Sequence, residues 1–279
     1  MQVGAFAFWR EYRGGLRAAI FDWAGTTMDF GCIAPAEAFV EVYRRYGVDI
    51  TQAEARVPMG AHKRVHIHKL SQIPRIGARW VEVHGAPFDE AALDRMFADF
   101  VPLQLEILPK YSDLVPGTLE VLARCRQRGL KIGSTTGYTR AMNVLLLAEA
   151  AARGYAPDTM VCADDVPEGR PAPWMCLENA KRLGVYPMAA IVKVGDTQGD
   201  VLEGLDAGMW TIGLAITGNE VGLTKVEWDA LGADERARRR AYAYERLHGV
   251  GAHYVVDGIW EVPALLDDID RRIARGEKP

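Results

Sequence analysis

Long hydrophobic runs are missing from this 279-residue chain. The apolar start from Val3 to Trp9 has no basic leading region and is cut short by Arg10, Glu11 and Arg13, well below the roughly 18 residues a membrane span needs, so we expect neither an export signal nor an anchor. Cysteine is scarce too. The four present, Cys32, Cys125, Cys162 and Cys176, fall in no CxxC or paired metal-ligand spacing, which argues against a disulfide framework or a zinc ribbon and suits a reducing cytoplasm. Positive charge is not in excess: 33 Lys and Arg against 37 Asp and Glu leave a net charge of −4, with no electrostatic footprint for nucleic acid or an anionic membrane. With 49% hydrophobic and 25% charged residues, disorder, collagen and coiled coil are out. At roughly 100 to 200 residues per domain, one large domain or a core with a smaller insertion remains, and small-molecule chemistry is the leading prospect.

Short β-type apolar runs alternate with helical patterns. Ala18 to Phe21, Leu130 to Gly133, Asp158 to Cys162, Ala190 to Val194, Trp210 to Leu214 and His253 to Val256 read as buried strands, and the alternation predicts an α/β fold, a Rossmann-like parallel sheet covered by helices on both faces. Leu119, Leu122, Ala123 and Arg126 give one helical period with Gly129 as its stop; Ala141 to Arg153 and Pro173 to Leu183 are similar. From Gly31 to Pro109 no convincing strand occurs, while Ala36, Phe39, Val40 and Tyr43 repeat at helical spacing, as does Ala91 to Phe100. An all-helical insertion after the first strand is expected there, a cap domain over residues 31–109 on a catalytic core of 1–30 and 110–279. The tail from Lys225 to His248, with Arg236, Arg238, Arg239 and Arg240 among Glu and Ala, reads as one solvated amphipathic helix.

In an open parallel sheet, ligands bind at the carboxyl ends of the strands, and three strands here end in polar residues. The first delivers Asp22, followed by the small-residue turn Trp23, Ala24, Gly25, Thr26, Thr27, whose backbone N–H groups suit an anion; an Asp capping the next helix is an equally good account of that segment alone. The second runs into Ser134, Thr135, Thr136 and Gly137, donors for a phosphoryl oxygen or simply helix caps. The third delivers Asp196 and Asp200, oxygen ligands that suit Mg²⁺. Together these are the parts that phosphoryl transfer through an aspartyl phosphate requires.

This arrangement resembles the haloacid dehalogenase superfamily, with Asp22, Thr136, Arg170 and Asp196 in its four motif positions and the helical insertion as its cap. Two departures from the superfamily's phosphatases bear on the chemistry. Where a phosphatase carries a second acid, two residues after the nucleophile, this chain has Ala24, so proton delivery to a departing alkoxide, worth about 10² to 10⁴ in rate, is absent. In the cap, Pro58, Met59 and Gly60 precede Lys63 near a helix start, with His66 one turn further on the same face. An amine facing the sheet can form a Schiff base, and the iminium is an electron sink that lets carbon leave phosphorus without an acid at position 24.

The stretches Phe21 to Thr27, Pro58 to Lys63, Ile132 to Arg140, Asp164 to Pro171 and Val194 to Thr197 are similar to the phosphonoacetaldehyde hydrolase (phosphonatase) family, a resemblance that runs from about Ala18 to beyond Gly213, leaving the first 17 or so residues as an extension. It implies Asp22 as nucleophile and Mg²⁺ ligand, with the Ala24 carbonyl and Asp196 as the other protein ligands. Lys63 would carry the Schiff base, and Thr136, Gly137, Arg170 and Met59 would hold the substrate, a small phosphonate. Arg170 stands where many relatives carry lysine; its fixed charge and fork suit two phosphoryl oxygens. Asp200 would sit behind the metal waters and His66 would shuttle protons to Lys63. A homodimer through the caps and a cytoplasmic role in phosphonate catabolism follow from the same resemblance. With a reference value near 10.4, roughly one lysine amine in 2,500 is free at pH 7, so a working Lys63 should be depressed by desolvation or by nearby cations.

Simpler accounts stand beside these. A lone lysine on a cap helix is ordinarily a solvated surface group. His62, His66 and His68 invite a zinc reading, but no third ligand has useful spacing. Trp23 and Tyr138 are most simply packing residues, and Cys32 either lines the cleft or is a buried inert thiol. A phosphatase or phosphomutase for a small ester, and a non-catalytic phosphoryl-ligand binding protein, are the competing functions.

Overall fold

The computed structural model describes residues 11–279, so the apolar start from Val3 to Trp9 and most of the expected extension lie outside the described residues. Strand β1 (Ala18–Phe21) is followed by five helices, α1 (Ile33–Arg45), α2 (Gln52–Arg56), α3 (Lys63–Ser71), α4 (Pro74–His84) and α5 (Glu90–Ile107). Helix and strand then alternate: α6 (Thr118–Gln127), β2 (Lys131–Thr136), α7 (Arg140–Ala152), β3 (Thr159–Cys162), α8 (Trp174–Leu183), β4 (Ile191–Gly195), α9 (Gln198–Asp206) and β5 (Trp210–Leu214). The chain closes with α10 (Lys225–Ala230), α11 (Ala233–Gly249), β6 (Tyr254–Val256) and α12 (Val262–Ala274).

The six strands form one parallel sheet in the order β3-β2-β1-β4-β5-β6. The order reverses between β1 and β4, which opens a crevice at their carboxyl ends. Successive side chains of β1 serve opposite faces: Ala18 and Ile20 pack with Cys176 and Ala180 of α8, whereas Ala19 and Phe21 join the core shared with α6 and α12. This is why the strands read as unbroken apolar runs.

Two elements differ from the sequence expectation. β2 continues through Ser134 and Thr135 to Thr136, because pairing with β3 runs from Gly133 opposite Thr159 to Thr136 opposite Cys162, so these hydroxyls are strand residues and only Thr136 reaches the tip. The expected tail helix is two helices, broken where Leu231 and Gly232 are extended; Gly232 then caps α11, and Arg236 Nε donates back to the Trp228 carbonyl at 3.1 Å. Of α11, only Ala243 and Leu247 are buried, and its arginines pair with carboxylates such as Glu235 and Asp257, as a solvated face does.

The cap helices pack around aromatic side chains. Phe39 of α1 stacks on Phe100 of α5 at 4.6 Å and on His66 of α3 at 3.6 Å, and Tyr43 donates to the Ile67 carbonyl at 2.7 Å. The chain leaves and re-enters the core along one short antiparallel seam: Met28 bridges Leu114, Asp29 N–H donates to the Asp113 carbonyl at 3.0 Å, and Val115 N–H donates to the Thr27 carbonyl at 2.9 Å. Asp29 starts α1, its two carboxylate oxygens accepting from the N–H groups of Ile33 and Ala34, each at 3.0 Å.

Candidate active site

The tips of β1 and β4 place three carboxylates together. Asp22, Asp196 and Asp200 are buried and can each present an oxygen within 4.8 Å of the others. Asp196 accepts from Thr26 Oγ1 at 3.0 Å and from the Asn219 N–H at 2.8 Å. Two glycines make room for it. A Cβ at Gly25, whose φ is +82°, would lie 2.4 Å from Asp196 Oδ2, and one at Gly218 would lie 2.1 Å from Asp196 Cβ. Asp200 sits in the first turn of α9, where its carboxylate receives the Thr197 N–H at 3.2 Å and hydroxyl at 2.6 Å, a reciprocal capping box.

Behind these lies a buried ion network. Arg170 Nη2 donates to Asp22 Oδ1 and Thr135 Oγ1, both at 2.6 Å, and lies 3.0 Å from Asp200, while its Nε donates to Glu203 at 2.9 Å. Lys193 Nζ donates to Asp200 at 2.7 Å and to Thr135 at 2.9 Å. Three buried carboxylates, Asp22, Asp200 and Glu203, thus meet two buried cations, with Asp196 beside them meeting neither, and burial and neighbouring charge act differently on the three aspartates. Burial, then Asp22 and Asp200, push Asp196 well above the usual carboxylate range. Burial pushes Asp22 up against the pull of Arg170, and for Asp200 burial is outweighed by Arg170 and Lys193, which hold it low. The triad's carboxylate oxygens, hard donors with glycines on both sides of Asp196, fit a divalent cation, whose charge would relieve the acids that burial pushes up.

On the cap side, Lys63 is the first residue of α3 and only 3% exposed. Its amine lies 4.5 Å above the Tyr138 ring and 5.6 Å from that of Phe39, and burial lowers it to about 8. Lys63, Met59 and Gly60 of the cap close over Asp22, Ala24, Thr136, Gly137 and Arg170 of the core, leaving a cavity of only about 20 Å³, room for one water. The approach is between backbones: a Cβ at Gly137 would lie 2.8 Å from the Gly60 carbonyl oxygen and 2.9 Å from that of Ala61. Thr136 Oγ1 accepts the Tyr138 N–H at 3.2 Å.

His66 is fully buried, donates from Nε2 to the Ala55 carbonyl at 2.8 Å, and is kept neutral by burial and by Lys63; its Nδ1 has no partner among the described residues. His62 instead bridges to Asp164 of the core at 2.9 Å, so the two histidines do not converge, and the one His, Cys, Asp or Glu cluster with converging ligand atoms among the described residues is the aspartate triad.

Sequence reasoning missed several participants. Tyr138, assigned to packing, lines the cavity under Lys63; Cys32 meets both readings offered for it, lining the cavity as a buried thiol pushed upward by burial. Trp23 does pack, edge-on to Tyr155 at 5.3 Å. Thr135, not singled out as a site residue, receives a hydrogen bond from Arg170. Lys193 and Glu203 had visible signals, a lone charge inside an apolar strand and an acid three residues after Asp200 on one helix face.

Comparison with known proteins gives the family. Residues 16–208 match the family of haloacid dehalogenase-like hydrolases. The chain is 46% identical over 97% of its length to a phosphonoacetaldehyde hydrolase of Nitratidesulfovibrio vulgaris, covering 96% of that protein, and 44% identical over 92% of its length to one of Bacillus cereus, covering 97%. A crystal structure of a phosphonoacetaldehyde hydrolase-like protein from Oleispira antarctica superposes with a TM-score of 0.96 at 41% identity, over 99% of this chain and all of that one.

Proposed function

The chain belongs to the phosphonoacetaldehyde hydrolases of the haloacid dehalogenase-like hydrolase family, and from that premise we propose how its own residues divide the cleavage of a carbon–phosphorus bond. The substrate is phosphonoacetaldehyde and the products are acetaldehyde and phosphate. The observation that carries this reading is Lys63, a buried amine lowered to about 8 that shares one small cavity with Asp22 while position 24 offers no acid.

Lys63, as the free amine, adds to the aldehyde carbon; the resulting carbinolamine takes up a proton and loses water, leaving an iminium. An oxygen of Asp22 attacks phosphorus; the carbon–phosphorus bond breaks and its electron pair passes into the enamine. No proton has to reach the leaving group, so Ala24 suffices where an ester would demand a general acid. Protonation of the enamine at carbon and addition of water release acetaldehyde and restore the Lys63 amine. A second water splits the aspartyl phosphate and restores Asp22. Thr136, the Gly137 N–H and Arg170 hold phosphoryl oxygens; no hydrogen bond from Arg170 Nη1 is formed among the described residues, so that end of the fork is free to turn to substrate. Met59 bounds the pocket, and His66 Nδ1, unpartnered and kept neutral, is an acceptor for a proton from Lys63.

Mg²⁺ held by Asp22, the Ala24 carbonyl and Asp196, with Asp200 behind them, would supply positive charge beside the phosphoryl oxygens. The small cavity requires the cap, which we place at residues 31–109, to open for entry and close for reaction, desolvating Lys63 as it does so. A homodimer through the caps and a cytoplasmic setting belong to the same reading, and no helix among the described residues is long and apolar enough to span a membrane.

The test is release of phosphate and acetaldehyde from phosphonoacetaldehyde with Mg²⁺, beside a simple phosphate ester. Equal release of both products with the ester untouched, irreversible inactivation by borohydride plus substrate, and loss of both in Lys63→Arg are expected. Hydrolysis of the ester alone, or turnover retained in Lys63→Arg, would refute the Schiff-base route.

A further inference from the structure

The segment after β5, 217–223, has no part in the chemistry above, yet it meets the cap and the outgoing hinge at one knot of contacts. Arg56 ends α2 and stands at the root of the loop that carries Met59 and Gly60 over the cavity and delivers Lys63. Its Nη1 donates to the carbonyls of Gly31 at 2.8 Å and Cys32 at 3.1 Å and reaches Asn219 Oδ1 at 3.4 Å. Asn219 returns the contact, its Nδ2 donating to the Arg56 carbonyl at 3.3 Å. The backbone N–H of the same Asn219 holds Asp196 Oδ2 at 2.8 Å. One residue therefore grips the cap with its side chain and a core carboxylate with its main chain.

The surroundings are shaped for this approach. Gly31, at φ +92°, donates its N–H to the Thr217 carbonyl at 2.7 Å, and a Cβ there would lie 2.2 Å from the Leu223 oxygen. Gly222, at φ +64°, admits the guanidinium, since a Cβ there would lie 2.6 Å from Arg56 Nε. Arg56 hydrogen-bonds carbonyls and an amide, a pattern that reads position through several directed donors. A cleft of about 380 Å³ lined by Arg56, Asn219 and Gly222 brings solvent to the knot, so its hydrogen bonds can exchange with water as the cap lifts.

We propose that Arg56 and Asn219 form a latch that seats the cap on the core and ties that seating to the placement of Asp196. They are positioning residues; neither touches the reacting atoms. The proposal rests on the reading given above for what closure achieves, and it assigns a role to 217–223 that the motifs do not.

The test uses the full chain as Arg56→Ala, Asn219→Ala, the double variant and Arg56→Lys, with circular dichroism to establish folding. Asn219→Ala removes the grip and keeps the N–H that holds Asp196. Two quantities are read: KM and kcat with phosphonoacetaldehyde, and amide hydrogen exchange of residues 57–62 in metal-free enzyme. Each alanine variant is expected to raise KM about tenfold with a smaller change in kcat, and to speed exchange of 57–62 by a similar factor, as loss of a charge-assisted hydrogen bond predicts. The double variant should be no worse than the worse single one, and Arg56→Lys should recover part of the loss. Additive effects, unchanged exchange, or exchange raised throughout the cap rather than at 57–62 would overturn the latch. If wild type fails to turn over phosphonoacetaldehyde, the functional reading falls, and the exchange arm still decides the latch by itself.

Discussion

Replacing Lys63 with methionine should stabilise the protein at neutral pH while ending its chemistry. Lys63 falls from an ordinary 10.5 to about 8 because burial disfavours the charged form, a penalty of roughly 3 kcal/mol. At pH 7 about one amine in ten is then free, against roughly one in 3,000 for an ordinary lysine. The sign follows from proton counting. Below pH 8 the folded chain carries the full penalty; between 8 and 10.5 the unfolded chain binds the extra proton, so native stability rises with pH; above 10.5 both forms are neutral and the penalty is gone. Lys63→Met, of similar length and without a charge, should therefore gain up to about 3 kcal/mol at pH 7, and the gain should vanish near pH 11. Denaturant melts of both proteins in chelator at pH 7, 9 and 10.5 measure this. Trapping of wild type by acetaldehyde and cyanoborohydride in the same buffers should be half-maximal near pH 8. A Lys63→Met protein no more stable than wild type at pH 7, or a trapping midpoint near 10.5, would refute the argument.

Asp22→Asn should lose turnover yet keep imine trapping, because the proposed amine and nucleophile sit on different segments, Lys63 at the start of α3 and Asp22 after β1; loss of trapping measured with the aldehyde alone would contradict that separation. Asp196→Asn relieves a carboxylate held far above its usual range, so it should raise the melting temperature in chelator and abolish the extra stabilisation that Mg²⁺ gives wild type, which is about 2.7 kcal/mol at a hundredfold excess over Kd. A melting shift with Mg²⁺ that persists in Asp196→Asn would remove this residue from the metal site. Gly137→Ala puts a methyl 2.8 Å from a backbone oxygen of the cap, which cannot yield as a side chain can. Its kcat/KM should fall by about 10² while global stability changes little, and near-normal kinetics would show that the cap tolerates a looser seat.

Much of this was legible in the chain. The strand tips announced themselves because a parallel sheet buries both faces, so apolar runs such as Ile191 to Val194 stop abruptly at the acid that faces solvent or ligand. Ala24 and Lys63 carried chemical meaning by what one lacks and the other offers. What could not be read was anything set by crossing distances between segments far apart. Tyr138 beneath Lys63, Thr135 on Arg170 and Asn219 on Asp196 depend on how β2, the loop after β5 and the cap meet in space, and no periodicity within one segment encodes that. The extent of β2 was misjudged for a related reason. Ser134 and Thr135 are polar, but Ser134 donates to the Phe21 carbonyl at 2.8 Å and Thr135 meets Lys193, so hydroxyls occur inside a strand wherever a partner satisfies them.

The seam where the chain leaves and re-enters the core has a mechanical consequence. A single flexible tether would let the helical body wander in all directions, like a ball on a string. Two antiparallel crossings zipped at Met28 and Leu114, with Asp29 fastened to Asp113 and Val115 to Thr27, behave instead as the pin of a door. A door has one degree of freedom and one closed position. On the function proposed above, an amine carried on that pin would return to the same spot over Asp22 at every closure, so the accuracy that carbon–phosphorus cleavage demands would be built into the doorpost rather than sought afresh by each arriving substrate.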